Sequence, residues 1–157
     1  MTNIGARLVV LLLITGWAFP TTAQAQEKKI KREELPPAVE KTVSEQSQGA
    51  TIKSFSTEVE QGKTLYEVEL TVNGHGKDIS MEKDGKIVEV EEEVAMDSLP
   101  PEVKAGLAKA AGSGTISKVE SLTRQGKLVA YEADVKNGSK RSEVQVGPNG
   151  KKLAHEE

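Results

Sequence analysis

The sequence predicts an α+β protein built as two tandem modules, each one helix packed on a three- to four-stranded antiparallel sheet. Three observations predict it: a duplicated segment, an apolar period near four that gives way to a period of two, and turn residues at matched places. Leu35-Pro36-Pro37-Ala38-Val39 recurs as Leu99-Pro100-Pro101-Glu102-Val103, an offset of 64. Between Leu35 and Lys63, set against Leu99 to Lys127, nine of 29 positions are identical. Composition alone would give about two, so a repeated unit is the better account. One inserted residue then moves the offset to 65, which pairs Tyr66-Glu67 with Tyr131-Glu132 and Gly85-Lys86 with Gly150-Lys151.

Each element follows from local chemistry. Proline suits the first helical turn, where its missing N–H would have no partner anyway. Leu35-Pro36-Pro37 and Leu99-Pro100-Pro101 therefore read as helix starts, with Gly49 and Gly112 as stops. Val39 and Val43, like Val103 and Leu107, stand four apart and form a narrow apolar stripe. Next, Tyr66, Val68, Leu70 and Val72 alternate with Glu67, Glu69 and Thr71, and Tyr131, Ala133 and Val135 do the same with Glu132 and Asp134. Strands with one wet and one dry face explain this. Asn73-Gly74, Asp84-Gly85, Asn137-Gly138 and Asn149-Gly150, together with Gln61-Gly62 and Gln125-Gly126, supply hairpin turns.

Ahead of the repeat, Arg7 precedes an apolar run from Leu8 to Ala18, then Pro20 and Ala23-Gln24-Ala25. That order is a cleavable secretory signal, and the run is shorter than the ~20 residues that span a bilayer. Removal of Arg7 makes the formal net charge of −3 one unit more negative. Without a basic excess, nucleic acid is excluded as a partner. The absence of cysteine excludes disulfides, thiolate metal sites and lipidation of an N-terminal cysteine. The expected organisation is a signal at 1–25, a flexible charged leader at 26–34, a first module at 35–93, a linker at 94–98 and a second module at 99–157. The expected location is the periplasm or the medium, with no stable membrane insertion after cleavage.

The Leu-Pro-Pro-x-Val starts, the Tyr66-Glu67-Val68 strand and the Asp84-Gly85-Lys86 turn resemble the PepSY-like family of exported bacterial proteins, described as β-lactamase-inhibitor-like. The resemblance covers about residues 33–93 and 97–157. It departs in the second copy, where Tyr131-Glu132-Ala133 and Asn149-Gly150-Lys151 stand instead. It implies a concave sheet that holds a protein partner, with peptidase or β-lactamase inhibition suggested by relatives. It carries over no catalytic residue.

The chemical inventory is sparse. His75 sits in a hairpin tip and His155 near the end, neither suited to preorganised catalysis. No nucleophile elbow, His-Glu-x-x-His pair or phosphate loop is present, so no enzyme, catalytic residue, metal site or cofactor is expected. Glu89, Glu91, Glu92 and Glu93, with Asp84, are the acids nearest to a cation site, although their alternation with valine reads first as a wet strand face. Lys28, Lys29, Lys31 and Arg32 read as a solvated leader. Tyr66 and Tyr131 read as core residues before partner anchors. The functional expectation is an exported protein-binding module that inhibits or modulates an exported peptidase or other envelope protein. The alternative is a periplasmic sensor or carrier for a small ligand or cation.

Overall fold

The computed structural model describes residues 27–60 and 62–155. The expected signal, residues 1–25, lies outside them, as does Gln61 of the Gln61-Gly62 turn.

Two helices form where the prolines direct. α1 spans Pro37–Gln46 and α2 spans Pro101–Ala111, with the second proline of each pair as the first helical residue. Val39, Val43, Val103 and Leu107 are fully buried, so the four-residue spacing does mark the packed stripe. Gly112 caps α2 at φ 59, its N–H donating to the Ala108 carbonyl. α1 stops earlier than expected, with Ser47 as its cap, and Gly49 follows in a turn at φ 76.

The strands are β1 Lys28–Ile30, β2 Thr51–Glu60, β3 Lys63–Val72, β4 His75–Met81, β5 Ile87–Glu93, β6 Thr115–Arg124, β7 Lys127–Asn137 and β8 Lys140–Val146. They form one antiparallel sheet in chain order, β1 to β8. Both helices cover the same face. Val39 and Val43 of α1 pack with Phe55, Val68, Leu70, Ile79 and Met81. Val103 and Leu107 of α2 pack with Leu99, Val119, Ala133 and Val146.

The halves of the sheet repeat in register. A bulge between Ile52 and Ser54 on β2 recurs between Ile116 and Lys118 on β6, 64 residues on. The inserted residue that changes the offset is Val129, skipped as a bulge where Leu122 pairs with Ala130 and Thr123 with Leu128. Extra residues in antiparallel pairs are commonly absorbed this way, at the cost of one unpaired residue.

One expectation is corrected. The leader is not a free segment: Lys28, Lys29 and Ile30 pair with Thr57, Ser56 and Phe55. A short 3-10 turn, Arg32–Glu34, follows, and the Arg32 guanidinium donates to Glu40 of α1 at 2.6 Å. Its charges misled because a strand at a sheet edge needs backbone pairing rather than an apolar face. The linker at 94–98 is built in the same way: Val94 donates to the Val119 carbonyl and Met96–Ser98 makes the matching 3-10 turn. β1 thus stands to β2 as the end of β5 stands to β6.

The turns follow the glycines with one shift. Val72 pairs with His75, so Asn73-Gly74 is a two-residue loop with both φ positive. Asn137 instead pairs with Lys140, which leaves Gly138-Ser139 as the loop and only Gly138 at positive φ.

Candidate functional site

The face of the sheet away from the helices is a trough. Arg124, at the end of β6, lies 3.7 Å from Glu60, at the end of β2. Three strands intervene, and on a flat sheet those strands would lie about 19 Å apart at ~4.8 Å per spacing. Two side chains do not bridge that gap, so the sheet curls. Arg124 also bonds Glu89. Beneath this closure Leu65, Leu122 and Ala130, all on the helix-free face, are buried and form an apolar floor.

Beyond the floor, the face is acidic. Glu67 on β3, Asp78 on β4, Glu91 on β5, Glu120 on β6 and Glu132 on β7 line successive strands. Carboxylate oxygens of Asp78, Glu91 and Glu120 lie within 4.8 Å of one another. Glu120 is only 5% exposed and is held by Lys118 at 2.8 Å. Ser56 donates to Glu67 at 3.3 Å and Gln145 to Glu132 at 2.6 Å. The Oδ1 atom of Asp78 is buried without a hydrogen-bond partner.

Crowding of buried carboxylates favours their protonated forms. Burial, then the charges of Glu89 and Glu120, pushes Glu91 up to about 8. Burial and neighbouring Asp78 push Glu67 up to about 7. Burial and Glu120 push Asp78 up to about 6. Protons therefore occupy part of this cluster near neutrality. Such a surface can share protons, surround a cation or receive basic side chains.

The acids expected together are divided. Glu89 and Glu91 face the trough, whereas Glu92 points to the helix side near Lys77, at 3.9 Å. Glu93 accepts the Gly76 N–H at 2.9 Å. Asp84 is a turn residue whose carboxylate accepts the Lys86 N–H at 3.0 Å. Asp78 and Glu120 were missed as partners of Glu91. Cross-strand register, which brings them together, has no local signal. His75 and His155 are both exposed. Tyr66 and Tyr131 are half-buried and pack against the two cores, on the side opposite the trough.

The family model described as "Putative beta-lactamase-inhibitor-like, PepSY-like" matches residues 21–89 and, overlapping, 64–153. That description is of an inhibitor-type module and not of an enzyme family. A BLIP-like protein from Bacteroides fragilis is similar in structure at 19% identity and TM-score 0.56, covering 76% of this chain and 83% of that one. A DUF2874 family protein from Bacteroides ovatus is similar at 16% identity and TM-score 0.58, over 76% and 84% of the two chains. A protein titled as putative periplasmic from Bacteroides eggerthii is similar at 14% identity and TM-score 0.60, over 74% and 84%. At these identities the likeness is one of fold. No curated protein matches the chain. Among the described residues, no helix is long and apolar enough to cross a membrane.

Proposed function

This chain belongs to the PepSY-like family, and on that premise we propose that it is an exported protein-binding module, not an enzyme, whose trough receives a basic segment of a partner. We read the sheet as two modules, 35–93 and 99–157, fused through β5. The secretory pattern of residues 1–25 supports a periplasmic or secreted location, as does the periplasmic description of the B. eggerthii neighbour. An exported peptidase or other envelope protein is the partner class, and inhibition would come from covering its active site.

The curled acidic face carries this reading. Glu67, Asp78, Glu91, Glu120 and Glu132 make an acidic stripe, part-protonated near neutrality, next to an apolar floor, which suits a cationic side chain followed by an apolar one. The test is capture from envelope extract with wild type and with the double variant Glu69→Lys, Asp134→Lys. Both residues lie on the trough face, Glu69 exposed and the Asp134 side chain 43% exposed, so folding is little affected. A stoichiometric partner retained by wild type and lost by the variant is expected. A partner held equally by both would place binding elsewhere.

A second reading keeps the cation. The buried, unpartnered Oδ1 of Asp78, beside Glu91 and Glu120, suits a hard divalent ion that takes oxygen ligands. A ligand bound only by the folded chain raises its melting midpoint. Melting at pH 7.5 with and without 1 mM Ca²⁺, at roughly 100 times a 10 μM Kd, should then shift the midpoint by several degrees. An unchanged midpoint sinks this reading and leaves the first.

A further inference from the structure

The trough changes charge toward the hairpin that joins β7 to β8. Ala130, Glu132, Asp134 and Lys136 succeed one another along the trough side of β7. On β8, Glu143 stands opposite Asp134, and Arg141 stands opposite Lys136. An acid pair is thus followed by a cation pair, and like charges placed directly opposite one another destabilise a sheet. Lys118, the next cation, is taken up by Glu120 at 2.8 Å and Asp134 at 3.9 Å. Lys136 and Arg141 are exposed, and among the described residues no ion pair or side-chain hydrogen bond engages either.

The fold does not require this arrangement, as the first half shows. By the offset of 65, Asp134 and Glu143 correspond to Glu69 and Asp78, again an acid pair across two strands. Lys136 and Arg141 correspond to Thr71 and Gly76, which are uncharged. The acid pair is common to both halves, and the cation pair belongs to the second alone. Beside the cation pair lies a recess of about 610 Å³, walled by Ser117, Asp134, Lys136, Arg141 and Glu143. Side chains on one face of a strand recur every ~6.8 Å, so Lys136 lies about 14 Å beyond Glu132 and about 20 Å beyond Ala130.

We propose that the partner segment received by the trough is dipolar: an apolar residue over Leu122 and Ala130, basic residues over Glu132 and the Asp134–Glu143 pair, and a carboxylate on Lys136 and Arg141. This rests on the reading of the trough as the site of a basic segment, and it adds the group that ends the segment and its spacing. An extended segment lying along β7 turns every second side chain to the sheet, the same period as the row beneath it. Apolar, basic, basic and acidic groups at positions i, i+2, i+4 and i+6 then each meet their complement. The carboxylate belongs to a glutamate or aspartate side chain or to the free end of a chain, and either offers two oxygens to the two cations.

The probes are synthetic heptapeptides with leucine first, lysine third and fifth, serine between and blocked ends. One ends in glutamate and one in glutamine, and each is also offered in reversed sequence, because side-chain order does not set chain direction. A third has glycine last and a free C-terminal carboxylate. Binding is measured by calorimetry on the mature full chain at about 50 mM salt, where screening is weak. Attraction to an acidic face alone would favour the glutamine peptide, which carries more positive charge. The expected result is the reverse: the glutamate peptide, the free-carboxylate peptide or both bind about fivefold tighter, and which of them does so identifies the source. The double variant Lys136→Gln, Arg141→Gln changes two exposed residues. It should abolish that preference and hold the glutamine peptide as before or more tightly. Binding of the glutamine peptide with no preference for the acid overturns this inference and leaves the trough reading standing. A preference that survives in the double variant overturns it as well. Absence of binding by every peptide removes the trough reading and the inference together.

Discussion

Glu91 concentrates the electrostatics of the trough in one side chain. Unfolded, it titrates near the ordinary 4.5, and folded it is pushed up to about 8, with Glu67 at about 7 and Asp78, ordinarily 3.8, at about 6. Between those limits the folded chain holds more protons than the unfolded one, so raising the pH favours unfolding. The stability is intact below about pH 4 and is lost progressively up to about pH 8. A melting series from pH 5 to pH 8 should therefore show a falling midpoint. Glu91→Gln keeps the shape without the charge. It should raise stability at pH 8 by about 1–2 kcal/mol, after discount for residual solvent, and flatten the slope. A midpoint that rises with pH in wild type would contradict the proton sharing.

At the scale of elements, the two Gly-Lys turns fasten the sheet to the helices. Gly85 takes φ 82 and Gly150 φ 71, each closing a hairpin in which Asp84 or Asn149 accepts the second N–H onward at 3.0 Å. A Cβ on Gly85 would meet the Ala38 carbonyl oxygen of α1 at 2.5 Å, and one on Gly150 the Glu102 oxygen of α2 at 1.9 Å. Gly150→Ala therefore combines left-handed strain with a backbone clash, and should cost about 2–4 kcal/mol in urea unfolding. Gly126→Ala is the control: its φ is also positive, at 77, but nothing lies within 4 Å of the added carbon. Equal losses in the two variants would rule out the helix contact. Sequence supplied these turns because glycine at positive φ is a local requirement. It did not supply the contact with the helix, which depends on where the strands carry the turn. The same division holds in the trough, where alternation put Glu67 and Glu132 on the polar face but gave no sign that the face curls over on itself.

For the whole molecule, β5 decides whether there are two domains or one. It completes the ladder begun by β4, through Ile79 and Val90, and opens the ladder of β6, through Val90 and Thr123. The repeat was legible from Leu35 onward because identities persist there. The earlier part was not, since Ile30 and Val94 occupy the same place in the two units while Arg32-Glu33-Glu34 and Met96-Asp97-Ser98 share no residue. Backbone pairing and one apolar contact apiece, Ile30 and Val94 against the two cores, hold those strands, so the other side chains were free to drift, and the leader looked structureless. A strand shared by both halves cannot be lost from one alone. Units of about 60 residues bury too little surface to stand comfortably by themselves, and they gain by unfolding together. Val90→Ala, at a half-buried position packed against the first core, should lower stability by about 1 kcal/mol. Amide exchange should register that loss equally in β3 and β7, although Val90 is paired with neither strand. Protection lowered in β3 with β7 untouched would mean that the halves open independently, whatever hydrogen bonds join them.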